Sequence, residues 1–281
     1  MREMSATTSR EPHPKTRFLP REHGATAMLL TPIVCAAILA HQWRWTELAT
    51  LVAAIAALSA KDPLVVLARQ RLVWKQPHPE TAAALRSFAG WTLILILCGI
   101  VLAARWPLTA IVALGSGVGV FSVLAVAINV KNRQRSTLFQ IASAAALTSS
   151  SLATSLSATG SIAGWCWWLW LLLAMQATAG ILVVHARLDA RIASRGTAPA
   201  AEGYRRAAQV ALGVLACGAI AAAVLGRFWI ALALLVAAAG YGYDLRGQRD
   251  RVALQLPLKR VGQRALALSS LYAVLVIIGL W

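Results

Sequence analysis

The chain has few charged residues, and acidic residues are the scarcest among them. Only 13% of its 281 residues are charged, and Asp and Glu together number 10. A soluble domain carries about 25% charged residues, so this chain has too few to cover a soluble globule. Its mean hydropathy is +0.66 and 59% of its residues are hydrophobic, which predicts a membrane protein with one helical bundle.

The acidic residues also lack the spacing of a helical metal site. No two of them lie four residues apart in the sequence, so no helix face carries the carboxylate pair that would favour Mg²⁺. We therefore predict no metal site and no cofactor.

Cysteine is equally sparse. Cys35, Cys98, Cys166 and Cys217 all lie inside apolar runs, without CxxC spacing and without a nearby histidine in the sequence. We interpret them as small buried hydrophobic residues; a disulfide or a metal site is the alternative.

Long apolar runs dominate the rest of the chain. A membrane-spanning helix needs about 20 apolar residues, and nine runs are candidates. These spans lie near 24–40, 46–68, 86–104, 107–128, 137–157, 162–184, 206–225, 228–243 and 265–281. The fold class is therefore an all-α polytopic bundle in a single domain, 21–281, preceded by a disordered cytoplasmic tail, 1–20. Cleavage of a signal peptide is the alternative for the N-terminus.

The basic residues predict which side of the membrane each loop occupies. With the N-terminus inside, the cytoplasmic segments hold 24 of the 27 Lys and Arg residues. The outer loops hold only Arg44, Arg105 and Arg227. This asymmetry satisfies the positive-inside rule. It predicts a plasma-membrane protein with the N-terminus in and the C-terminus out.

Four clusters could carry chemistry, all at the predicted cytoplasmic ends of spans. Arg21-Glu22-His23 enters span one, where a helix N-terminus and an arginine can bind an anion. Lys61-Asp62 lies before Pro63 within span two, where charges tend to face a polar cavity, and Arg69 follows. Lys131, Arg133 and Arg135 follow span four, and His185, Arg187, Asp189 and Arg191 continue span six. Helical spacing puts His185 and Asp189 on one face of that span, and Arg187 and Arg191 on another. For each cluster, a lipid-headgroup anchor, a topology signal or a solvated helix end is the alternative.

Together the clusters form a basic basin with few acids. The predicted partners are membrane lipids and, in the basin, an amphiphilic anion such as an isoprenoid diphosphate or an anionic lipid. Nucleic acid is excluded because the basic clusters alternate with spanning runs.

Two families resemble this sequence. The segment Pro20 to Leu29, with Arg21-Glu22-His23-Gly24-Ala25 and Ala27-Met28, resembles the YwiC-like bacterial membrane proteins, a resemblance that extends over about 21–281 and implies a class but no reaction. Nine helices with polar loops after spans two, four and six resemble the UbiA prenyltransferases. The entry Arg21, Gly24, Leu29 and Pro32 and the cluster Lys131 to Arg135 add to that second resemblance.

The UbiA resemblance implies intramembrane prenyl transfer as the reaction, if there is one. UbiA enzymes hold Mg²⁺ with Asp-rich motifs after spans two and six, whereas this chain has only Asp62 and Asp189 there. We therefore expect an anion-binding membrane protein without Mg²⁺-dependent transfer. The alternatives are a transporter or flippase, a non-catalytic membrane subunit, and a divergent prenyltransferase.

Overall fold

The chain folds into helices throughout its described part. The computed structural model describes residues 23–76, 79–130, 136–195 and 202–281, and every regular element within these ranges is helical. The predicted all-α class is confirmed. The helices are α1 (His23–Ala40), α2 (Trp45–Arg69) with a π-helical extension (Gln70–Trp74), α3 (Thr81–Ala103), α4 (Leu108–Val130), α5 (Thr137–Thr148), α6 (Ser150–Thr159), α7 (Gly164–Ala193), α8 (Glu202–Val224), α9 (Phe228–Gly247), α10 (Arg251–Leu254) and α11 (Leu258–Leu280).

Each of the nine predicted spans corresponds to one helix or to a broken pair. Within the described ranges, seven helices are long and apolar enough to cross a membrane. The first predicted span is a shorter apolar helix, Gly24–Ala40. The fifth is divided at Ser149 into α5 and α6.

The break at Ser149 has a local cause in its hydroxyl side chains. Thr148 Oγ1 donates to Ala144 O at 2.8 Å, and Ser149 Oγ donates to Ala146 O at 2.7 Å. Such bonds compete with the helical backbone ladder and bend or interrupt a helix. The serine-rich α6 that follows is largely buried, because its small residues let neighbouring helices approach closely.

One end of the bundle is joined through Ser157. Thr46 Oγ1, at the start of α2, donates to Ser157 O at 2.9 Å, and Trp106 Nε1 donates to Ser157 Oγ at 3.0 Å. The beginning of α2, the α3–α4 turn and the end of α6 therefore meet here. Since Trp45, Trp106 and Trp165 lie at these helix termini, we call this the tryptophan end.

The opposite helix termini meet at the other end of the bundle. Arg69 Nη2, at the end of α2, donates to Asn129 O and to Asn129 Oδ1 near the end of α4, both at 3.0 Å. Gln248 Nε2, after α9, donates to Val183 O in α7 at 3.0 Å. We call this the arginine end, defined by Arg69, Arg187 and Arg191. Successive helices thus alternate in direction between the two ends.

The main apolar core lies between α7, α8, α9 and α11, with one face of α1 packed against it. Tyr272, Leu169, Leu215 and Val276 are its largest fully buried side chains. Three cysteines are buried as predicted, but Cys217 is exposed on α8. That part of the cysteine interpretation was wrong, because an apolar run does not tell which helix face meets the core.

Candidate functional site

The structure describes most but not all of the predicted site residues. Arg21, Glu22, Lys131, Arg133 and Arg135 lie outside the described residues, and His23 is the first residue of α1. The remaining seven lie on two helices. They are Lys61, Asp62 and Arg69 on α2, and His185, Arg187, Asp189 and Arg191 on α7.

The charges of α2 lie inside the helix and not at its terminus. Pro63 does not stop α2, which continues to Arg69, and Lys61 and Asp62 therefore lie about 12 Å before that end at 1.5 Å per residue. Lys61 Nζ is 3.9 Å from Asp62 Oδ1. A cation and an anion at this depth compensate each other, which lowers the cost of holding both in the membrane.

Arg69 has a structural role at the arginine end. Its double contact with Asn129 joins the ends of α2 and α4. Both hydrogen bonds come from the same nitrogen, Nη2, and reach the backbone and the side-chain oxygen of one residue. Arg69 therefore serves to hold α4 against α2.

The predicted basin consists of two groups of charges among the described residues. The α2 group lies where α2 packs against α3, α4 and α6, whereas the α7 group lies where α7 packs against α5, α8 and α9. A cavity lies beside the α7 group, and the candidate site is placed there.

Two arginines lie four residues apart on the last turns of α7, and a third follows just after the helix. Arg187, Arg191 and Arg195 are separated by four residues each and form what we call the arginine ladder. Like charges at this spacing repel one another on a helix. The negative end of the helix dipole offsets part of that repulsion, since cations are favoured in the last turn.

Arg187 is the buried member of the ladder. It is 7% exposed, its Nη2 donates to Ala253 O of α10, and its Nε has no hydrogen-bond partner within the described residues. Asp244 of α9 is acted on electrostatically by Arg187 and by Arg264 of α11. The helices α7, α9 and α11 therefore bring two arginines and one aspartate together at the buried end of the ladder.

His185 and Asp189 lie on the neighbouring face. The His185 ring stacks on the Tyr204 ring, with centroids 4.8 Å apart and an interplanar angle of 17°, which joins α7 to α8. Asp189 Oδ2 is buried and has no hydrogen-bond partner within the described part of the chain. Their shared face was predicted, but the stacking on Tyr204 was not.

A cavity of about 280 Å³ opens beside Arg191 and Arg195 of the ladder. It is lined by Arg191, Ser194, Arg195, Leu254 and Gln255. Two guanidinium groups from the end of α7 and the turn after it, and the carboxamide of Gln255 after α10, are the candidate donors, since the Ser194 hydroxyl already donates to Arg191 O at 2.9 Å. None of these five lining residues is acidic, so the chemistry of the cavity favours an anion.

An aliphatic strip runs beside the ladder on the same helix. Val184, Leu188 and Ile192 are also spaced by four residues, and Val184 and Ile192 are 39% and 40% exposed. Each of these three residues lies three positions before one arginine of the ladder. The two rows are therefore neighbours on the helix surface. A polar row and an apolar row side by side match the two parts of an amphiphile.

The structure also contains a polar cluster that was not predicted. Gln176 Nε2 of α7 donates to Tyr241 Oη of α9 at 2.5 Å and to Ser269 Oγ of α11 at 2.8 Å. Gly180 leaves room for the Tyr241 ring, because a Cβ there would lie 2.8 Å from Tyr241 Oη. A single Gln within an apolar run was the available signal, and membrane helices often use such a residue for interhelical bonding.

The family comparison bears on the first half of the chain. Residues 19–156 match the family model described as YwiC-like protein. Over this region the chain is similar to the YwiC-like family. The YwiC-like match begins before α1 and ends within α6, so it is narrower than the expected 21–281 and leaves the arginine ladder outside it. No curated protein matches the chain.

The YwiC-like match and the apolar helices agree on the class of protein. Seven candidate spans within the described ranges make this an integral, multi-pass membrane protein. The apolar faces of these helices are suited to contact with membrane lipids.

Proposed function

We propose that this YwiC-like membrane protein binds an amphiphilic anion at the arginine end, taking it from the cytoplasmic leaflet of the plasma membrane. The ligand is an anionic lipid or an isoprenoid diphosphate. The observation that supports this most is the adjacency of three features on α7: the arginine ladder, the acid-free cavity and the aliphatic strip.

Each feature corresponds to a part of the ligand. Guanidinium groups bind phosphate oxygens through two parallel N–H donors, which Arg191 and Arg195 can supply from the cavity wall. An acyl or isoprenoid chain is suited to the exposed strip of Val184 and Ile192. The basic surplus at this end also attracts anionic lipids within a Debye length.

A binding assay with matched variants tests the proposal. Purified protein in detergent micelles is titrated with phosphatidylglycerol, geranylgeranyl diphosphate and, as a neutral comparison, phosphatidylcholine. The Arg191→Gln, Arg195→Gln double variant is compared with Arg86→Gln, which removes an exposed arginine bonded only to Ala82 O of its own helix. A lost charge-assisted contact of about 1.5–3 kcal/mol weakens binding about tenfold or more.

The expected result is preferential binding of at least one anionic ligand by the wild type and by Arg86→Gln, with loss in the double variant. Equal affinity of the wild type for phosphatidylglycerol, geranylgeranyl diphosphate and phosphatidylcholine would contradict anion binding altogether.

A further inference from the structure

Arg187 has no anionic partner of its own although it is almost fully buried. It is 7% exposed, and no carboxylate oxygen of the described residues lies within 4.0 Å of its guanidinium. Its Nε has no hydrogen-bond partner there either. A buried cation is normally paired or fully hydrogen-bonded, because taking a charge out of water is costly. The end of α7 therefore carries positive charge that the described protein groups do not balance.

The nearest acids do not balance it at contact distance. Asp244 interacts with both Arg187 and Arg264, so one carboxylate faces two cations. Arg191 near the end of α7 and Arg195 just after it add two more cations, and Asp189 of α7 adds a second carboxylate. Four arginines and two aspartates leave a local cationic surplus, which an anion in the adjoining cavity would reduce.

The residues that line the cavity favour direct contact with an anion over contact through a bridging metal ion. Mg²⁺ in phosphate sites is held by one or two carboxylates together with the phosphate oxygens. None of the five lining residues offers a carboxylate, whereas two offer guanidinium forks. The lining therefore favours direct guanidinium contact with a phosphate and offers no carboxylate to share a metal ion with it.

The size of the cavity limits which part of a lipid enters. Pockets that enclose a whole drug-sized ligand have volumes of about 300–1,000 Å³. At about 280 Å³ this cavity has room for a headgroup and not for a lipid with its chains. The chains then have the strip of Val184, Leu188 and Ile192 next to it.

We propose that the cavity between the end of α7 and the segment following α10 is a metal-independent site for the phosphate group of a lipid headgroup. This rests on the proposed function and assigns it a place and a ligand chemistry. Arg191 and Arg195 contact the phosphate, Gln255 donates a further hydrogen bond, and the lipid chains lie on the aliphatic strip.

Arg187 is a positioning residue for this site. Its bond to Ala253 O holds the short helix α10 against α7, and the next two residues, Leu254 and Gln255, form one wall of the cavity. Leu254 is buried, and its N–H donates to Asp250 O at 3.1 Å. Binding of a phosphate therefore stabilises α10, and loss of Arg187 uncouples α10 from the ligand.

The test uses the full chain in detergent micelles with four probes. They are a short-chain phosphatidate, the diacylglycerol that lacks its phosphate, inorganic phosphate, and geranylgeranyl diphosphate, each titrated in EDTA and in excess Mg²⁺. We expect phosphatidate to bind equally well in both, inorganic phosphate to bind more weakly because it has no chain, and diacylglycerol not to bind. The Arg191→Gln, Arg195→Gln variant should lose about tenfold or more in phosphatidate affinity, while Arg86→Gln keeps it.

A second measurement isolates the role of Arg187. Amide hydrogen exchange in residues 250–256 should slow when phosphatidate binds to the wild type. In Arg187→Gln this slowing should disappear, and Arg187→Lys, which keeps the charge, should restore part of it. Thermal unfolding of both variants shows whether they are folded before the exchange is compared.

The outcomes separate this inference from the proposed function. Binding that requires Mg²⁺, or phosphatidate binding that is equally strong in the double variant and in Arg86→Gln, would overturn the assigned site while anion binding stands. Absence of binding by every anionic probe would overturn the proposed function itself. Unchanged exchange of residues 250–256 on binding would remove the positioning role of Arg187.

Discussion

The rings of His41 and Trp281 meet edge to face, with centroids 4.0 Å apart and an interplanar angle of 86°. His41 directly follows α1, and Trp281 directly follows α11. α1 and α11 therefore finish at the same end of the bundle, the tryptophan end. In the predicted nine-span topology the two ends of the bundled part of the chain lie on opposite sides of the membrane.

Reporter fusions test this arrangement. A fusion after Trp281 should report the side opposite to a fusion within 192–202, which follows α7 at the arginine end. Because 24 of 27 basic residues are assigned to the inner segments, we expect the 192–202 fusion to be cytoplasmic. The same signal from both fusions would contradict the nine-crossing topology and would place the arginine ladder on the wrong side for a cytoplasmic ligand.

The close approach of Gly180 and Tyr241 predicts a pair of coupled mutations. In Gly180→Ala the new Cβ lies 2.8 Å from Tyr241 Oη, so we expect a loss of about 1–3 kcal/mol in the free energy of unfolding. Adding Tyr241→Phe removes the closest atom and should recover part of this loss, although the ring carbon at 3.2 Å still crowds the methyl group. Tyr241→Phe alone is measured beside them, because it also removes the hydroxyl that accepts from Gln176 Nε2, and the two single losses should add to more than the loss in the double variant. Unfolding in mixed detergent micelles measures all three variants.

A glycine without neighbours provides the control for this pair. Gly117 lies in α4, and a Cβ added there would meet no atom within 4 Å, so Gly117→Ala should leave stability unchanged or raise it slightly. Equal destabilisation by Gly180→Ala and Gly117→Ala would mean that the contact with Tyr241 does not determine the packing of α7 against α9.

Ser157 links three parts of the tryptophan end, so we expect the loss of its hydroxyl to destabilise the fold. Ser157→Ala leaves Trp106 Nε1 without the acceptor that lies at 3.0 Å and removes the hydroxyl contact with Thr50. We expect a loss of about 1–3 kcal/mol in unfolding free energy, the cost of leaving a buried donor unsatisfied. The exposed Ser116, whose hydroxyl bonds only to Ala113 O, is the matched site, and Ser116→Ala should change stability by less than about 0.5 kcal/mol.

Prenyl transfer of the UbiA kind should be absent. Lys61 lies 3.9 Å from Asp62 and competes with a dication for its oxygens, and Arg187 and Arg191 flank Asp189 in the sequence. Within the described residues no group of three or more His, Cys, Asp or Glu side chains is arranged to hold a metal ion.

The measurement is product formation from geranylgeranyl diphosphate and an aromatic acceptor with Mg²⁺. We expect no product from the wild type. Metal-dependent product from the wild type that disappears in the Asp62→Asn, Asp189→Asn double variant would instead identify a two-aspartate prenyltransferase.

Hydropathy and charge predicted the helices well because both act over long segments. All nine predicted spans coincide with helical segments, and the all-α class follows from their length alone. The break at Ser149 was not predicted, because it depends on which backbone carbonyl each hydroxyl bonds. The position of Lys61 and Asp62 within the second span was predicted, and α2 continues past Pro63 to Arg69.

The candidate site was only partly predictable for a different reason. The shared face of Arg187 and Arg191 could be predicted from their four-residue spacing. One more step of four residues would have added Arg195 to the predicted site. That α10 supplies one wall of the cavity could not be predicted, because Leu254 and Gln255 are about 60 residues from the ladder and their approach depends on tertiary packing. The Gln176 cluster likewise requires knowledge of which faces of α7, α9 and α11 meet.

The exposed thiol of Cys217 gives the protein a native reporter of its own folding. Cys35, Cys98 and Cys166 are buried, whereas Cys217 faces outward from α8. A small apolar maleimide should therefore attach once to the folded chain and four times to the unfolded chain. Counting attached labels by intact mass measures unfolding in a lipid bilayer directly, with no engineered cysteine and no optical signal.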